Sequence, residues 1–138
     1  MSYKRFRDDV PKEIVDKIYK RQDSNMRYAY RALFNNADET VKEDFMPYYL
    51  STDKYIPPYL LECTDYGMSI FIDLEQLKTA VASSKGELHD RTIGYAFGHT
   101  NYDKGIWWAP NSKTHIEYFL FDWENNNPCD DFEIINYE

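Results

Sequence analysis

The chain has two cysteines, five glycines and three histidines in 138 residues, and each scarcity excludes a class of protein. Cys63 and Cys129 are far apart and show no CxxC or Cys/His spacing. They read as two ordinary thiols of a reducing cytoplasm, not as a disulfide framework or a zinc site. Gly94, Gly98 and Gly105 form no GxGxxG fingerprint, and there is no GxSxG elbow. His89, His99 and His115 fit neither HxxxH nor HExxH spacing, so the sequence assigns no metal and no cofactor. Long apolar runs are missing as well. No segment approaches the roughly 20 residues of a membrane span, and the charged start MSYKRFRDDV lacks the apolar core of a signal peptide. The expectation is a cytoplasmic protein that does not enter a membrane.

Basic residues are in deficit: 16 Lys and Arg against 24 Asp and Glu give a net charge of −8. This argues against direct nucleic-acid binding, which calls for a basic stripe. The charge is polarised along the chain. Residues 1–31 hold nine Lys/Arg and five Asp/Glu, whereas 117–138 hold seven Asp/Glu and no base. Such a field favours a basic protein partner.

What the chain does have is apolar and aromatic substance. At this length one domain over 1–138 is expected, with a flexible N-terminal segment at 1–9. The 43% hydrophobic content supplies a core without a staple. Aromatics reach 17%, with 13 Tyr, 8 Phe and 3 Trp, more than a core of this size absorbs.

Val10, Ile14 and Ile18 at four-residue spacing predict a helix over about 10–22. Met26, Ala29, Tyr30, Leu33 and Phe34 form a helical stripe after Ser24, which predicts a second helix ending at Asn35-Asn36. Thr40 to Glu43 matches a capping box. Residues 48–65, with Pro57-Pro58, read as a long loop. Strands are predicted at 66–72, 92–99, 106–109, 114–121 and 132–135, with a helix capped by Asp73 over 74–83. The three strands between 92 and 121 read as a meander, and the last strand as an edge. Helices followed by strands with one intervening helix give an α+β class: N-terminal helices packed on an antiparallel sheet. Period two places Ile93, Tyr95 and Phe97 in one core layer with Ile116, Tyr118 and Leu120, and turns Glu117 toward solvent or a cleft.

Candidate functional residues fall into two sets. Tyr and Trp offer large, stiff contact area. Together with the C-terminal carboxylates this makes Tyr55, Tyr59, Trp108, Asp122, Glu124, Asp130 and Asp131 candidates for contact with a protein. Tyr48 and Tyr49 share the loop, where folding back as a lid on the core is the competing reading. His99 and His115 are either surface imidazoles or a cluster across the meander with Asp103 or Glu117. No catalytic residue is assigned from spacing alone.

The fragments MRYAYRALF, EDFMPYYL, YGMSIFIDLEQLK, IGYAFG and THIEYFLFD resemble small proteins of Gram-positive bacteria and their mobile elements, over residues 26–135. That resemblance implies an inhibitor or an immunity or anti-defence protein, of the anti-CRISPR kind, acting by protein contact. The alternative comes from the order Arg31, Ser69, Glu117, which is similar to the Arg, Ser, Glu order of ADP-ribosyltransferases. The resemblance implies that Arg31 holds a phosphate of NAD, Ser69 supports the nicotinamide ribose and Glu117 stabilises an oxocarbenium ion. The predicted helix under Arg31 departs from that family, in which the Arg sits on a strand, and the remaining motif around the Ser is absent.

Overall fold

A computed structural model describes residues 6, 9–20, 26–51, 56–83, 92–108, 115–122, 125 and 128–135. Within them the chain forms helix α1 (Lys12–Lys20), β1 (Tyr28–Leu33), the single turn α2 (Tyr48–Ser51), β2 (Met68–Phe71), α3 (Leu74–Ser83), β3 (Gly94–His99), β4 (Gly105–Trp108), β5 (His115–Leu120) and β6 (Phe132–Ile134). The strands make one sheet in the order β4-β5-β2-β1-β3-β6, with every pair antiparallel. The class is mixed α+β. Among the described residues no helix is long and apolar enough to cross a membrane.

Alternation along the strands divides the side chains between two faces. One face carries Ala29, Leu33, Met68, Ile70, Ala96, Ile116, Tyr118, Leu120 and Phe132, buried together with Phe45 and Cys129. The opposite face is covered in two places. Val15 and Ile18 of α1, with Phe6, close over Ile106, Trp108, Phe119 and Phe121. Leu77 and Val81 of α3 close over Ala32, flanked by Tyr30, Phe71 and Tyr95. Glu13 in the first turn of α1 and Lys17 and Lys20 in its last suit the helix dipole. Asp73 caps α3 as expected, its Oδ1 accepting from Glu75 N at 2.8 Å and Gln76 N at 3.4 Å.

The largest correction concerns residues 26–36. The expected second helix is a strand, and β1 lies inside the sheet between β2 and β3. Over so short a window the apolar residues fit both periods, and tertiary pairing decides. Tyr28 stacks on Phe97 at 5.7 Å and Tyr30 lies 4.9 Å from the same ring, cross-strand contacts that reward extended backbone.

The meander is corrected too. β4 and β5 pair, but β3 sits beyond β1, so Ile93, Tyr95 and Phe97 do not share a layer with Ile116, Tyr118 and Leu120. Ile93 is exposed, and the buried face of β3 is its small one, Ala96 and Gly98. Space explains the choice. A Cβ on Gly98 would collide with Asp131 O and lie 2.7 Å from Phe132 Cα, so only glycine lets β6 approach.

Thr40 forms no capping box. Its hydroxyl donates to Cys129 O at 3.1 Å, and the following 3-10 turn, Lys42–Asp44, has no side-chain cap. Among the described residues of the N-terminal segment, Phe6 is buried edge-on against Phe121 at 5.1 Å. Tyr118 spans the core to the β3–β4 turn, where its hydroxyl accepts from Asn101 N at 2.9 Å and donates to Asn101 O at 3.2 Å. Burial pushes its phenol up from the ordinary value.

Candidate active site on strands β1, β2 and β5

Between the two helix-covered areas, β2 and β5 present Ser69 and Glu117 at directly paired positions, with Phe71 opposite His115 one step along. Paired residues share a face. Ser69 Oγ donates to Glu117 Oε2 at 2.9 Å, and His115 Nε2 lies 3.2 Å from the same oxygen. The Glu117 side chain is only 5% exposed, whereas that of His115 is 30% exposed. Glu117 was expected toward solvent or a cleft; it is shielded from solvent, beside the partly exposed His115. A carboxyl can be buried here because Ser69 and His115 supply hydrogen-bonding partners.

Arg31 joins the cluster through the main chain. Its Nε donates to Asp44 O at 3.0 Å and its Nη1 to Ser69 O at 2.8 Å. Alternation starts its side chain on the face opposite Ser69 and Glu117, since its neighbours Ala29 and Leu33 lie in the Phe45 core. The guanidinium turns into the seam between β1 and β2, where the paired register is Tyr30 with Phe71. Asp44 is fixed in turn, its Oδ1 accepting from Phe34 N at 2.8 Å, Asn35 N at 3.1 Å and Asn35 Nδ2 at 2.9 Å.

The electrostatics follow from this enclosure. Burial pushes the Glu117 carboxyl from 4.5 up to about 7, with Asp65 adding to the rise and the Ser69 hydrogen bond and the Arg31 charge opposing it. Burial lowers the His115 imidazole below its ordinary value. Desolvation brings Arg31 down to about 10, against the attraction of Asp44 and Glu117, so it stays a cation near neutrality. Gly67 leaves the space beside the other carboxylate oxygen. A Cβ there would lie 3.3 Å from Glu117 Oε1 and 3.0 Å from the Phe119 ring. On the other flank Phe71, 5.5 Å from the His115 ring, lines a groove of about 310 Å³ with Glu75, Gln76, Thr79 and Ala80.

No family model, curated protein or solved structure matches this chain. The site is read from its own geometry.

The described residues proposed for protein contact differ in exposure. Tyr59 is 83% exposed, but Trp108 is buried, stacked on Phe119 at 5.0 Å, and its neighbour Trp107 is the more accessible of the two. A core position for Trp108 follows from its place on the face under α1. Asp130 is exposed, while Asp131 pairs with Lys104 at 3.0 Å. Asp122, at φ 23°, accepts from Asn125 Nδ2 at 2.6 Å. Tyr55 and Glu124 lie outside the described residues, as does His89. Tyr49 folds back, 4.8 Å from the Tyr66 ring, its hydroxyl donating to Asp9 at 2.9 Å. His99 on β3 is two strands away from β2 and does not meet His115. Among the described residues no group of His, Cys, Asp and Glu is arranged to hold a metal. Sequence reasoning missed Asp44 and Gly67, and also the exposed aromatic surface at Tyr28 and Tyr102. A period-two reading of 28–33 would have put Tyr28 and Tyr30 on one face.

Proposed function

We propose that the chain binds NAD at Arg31, Ser69 and Glu117 and transfers or hydrolyses its ADP-ribosyl group, as the similarity to ADP-ribosyltransferases implies. One observation carries the reading: Arg31 Nη1 on Ser69 O at 2.8 Å and Ser69 Oγ on Glu117 Oε2 at 2.9 Å join the three residues across adjacent strands. Arg31 lies on a strand, as in that family, which answers one of the two departures inferred from sequence; the remaining motif around the Ser is still absent. NAD supplies a bond whose rupture releases nicotinamide and leaves positive charge on the ribose. Glu117, once ionised in its buried surroundings, is suited to stabilise that charge. Ser69 holds one carboxylate oxygen, and the lack of a side chain at Gly67 spares the other a close contact. Arg31 has donors on Nη2 beyond the two hydrogen bonds it makes, enough to take a phosphate oxygen. Incubation with NAD is expected to release nicotinamide, with the rate falling at least 100-fold in Glu117→Gln, in line with the loss of one oriented charge-stabilising group. No release, or equal release by that variant, would reject the reading.

A second reading rests on exposed apolar surface. Tyr28 and Met26, just over half exposed, and Tyr102, 66% exposed, lie near the β1 and β3 ends. With the net charge of −8 they suit contact with a basic protein, as an inhibitor of the immunity or anti-defence kind in the cytoplasm would make. An affinity capture that strengthens at low salt supports this reading, and one indifferent to salt counts against it.

A further inference from the structure

Glu117 is nearly sealed, and the groups around it differ sharply in their access to water. Ser69 from β2 is a hydroxyl donor that does not titrate, and Trp108, opposite on β4, carries no charge. Arg31 from β1 and Asp65 from the turn before β2 act on it through space. Among the described residues, His115 alone both touches the carboxyl, at 3.2 Å, and titrates while exposing part of its ring. That ring is held by Phe71 at 5.5 Å.

Resting on the NAD reading above, we propose that His115 is a positioning residue that carries the proton between the sealed Glu117 carboxyl and solvent. The exchange is balanced. Nε2 takes the proton from Oε2 as Nδ1 gives one to water, and the carboxylate is left charged when a cationic pyridinium sits beside it. With the site empty the proton returns by the same route, because the direction in which burial drives both groups, Glu117 up and His115 down, favours the neutral pair. The ring nitrogen and the carboxyl oxygen are in direct contact, so the imidazole registers the ionisation of its neighbour.

The test begins without NAD, so it is separable from the proposed reaction. Proton NMR of the imidazole C2–H, assigned by its loss in His115→Asn, follows the His115 midpoint in the full chain. In the parent the C2–H shift is expected to follow two steps, one from the ring and one from the adjoining Glu117 carboxyl, and in Glu117→Gln a single step. A single step in the parent, or an unchanged curve in the variant, overturns the proposal. Where nicotinamide release is measurable, the acid limb of kcat/KM is expected to move to higher pH in His115→Asn. A limb left in place also overturns it, even if the NAD reading stands. Denaturation midpoints of both variants confirm that each is folded during the titration.

Discussion

Ser69 and Glu117 face each other across β2 and β5 in direct register, and the 2.9 Å hydrogen bond between them sits on the face of the sheet that α1 and α3 cover in two separate places. Burial without full compensation makes this position sensitive to pH.

Glu117 has a folded-state value near 7 and an ordinary value of 4.5, so the folded protein binds the proton more tightly between them. The contribution of this group to stability is fully present below about pH 4.5 and is lost as the pH rises to about 7, a loss of about 3 kcal/mol. Glu117→Gln removes the effect. Urea denaturation at pH 5 and pH 8 is expected to show the variant gaining on the parent at the higher pH, and parallel pH profiles would contradict this.

Arg31 satisfies the carbonyls of Asp44 and Ser69. Arg31→Met leaves them without this donor, at a cost of roughly 1–3 kcal/mol for a buried group left unsatisfied. Thermal denaturation checks it, and a stability unchanged from the parent would mean that the guanidinium does not hold the β1–β2 seam.

Leu120 is 4% exposed and Ile93 51% exposed. Leu120→Ala is expected to destabilise by about 2–5 kcal/mol, whereas Ile93→Ala, on the surface, stays within about 0.5 kcal/mol. The reverse order in chemical denaturation would put the β3 and β5 faces the wrong way round.

Gly98→Ala drives a methyl into Asp131 and Phe132 backbone, where no side-chain rotation gives relief. Detachment of β6 is expected, at about 1–3 kcal/mol or more. Amide exchange at Phe132 and Ile134 reports it directly, and unchanged protection there would refute the tight β3–β6 approach.

Local rules read well where one element dictates its own form. Asp73 announces α3, and the alternation in 114–121 announces β5 with Ile116, Tyr118 and Leu120 buried. They failed where partners decide. Met26 to Phe34 fits a helical stripe as well as a strand, and only pairing with Phe97 and Phe71 resolves it. Burial of Glu117 was illegible for the same reason, since its hydroxyl partner is 48 residues distant and arrives only through the β2–β5 register. The order Arg31, Ser69, Glu117 was visible in the sequence, but the contacts that link them depend on β2 lying between β1 and β5.

The most direct measurement is a calorimetric titration of the full chain with NAD, repeated on Arg31→Met and Glu117→Gln after each is shown to be folded. The account predicts saturable binding by the parent, with stabilisation of about 2.7 kcal/mol at 100 times the dissociation constant, and at least tenfold weaker binding by Arg31→Met. Absence of binding by the parent, or equal affinity in both variants, would contradict an NAD site at Arg31, Ser69 and Glu117.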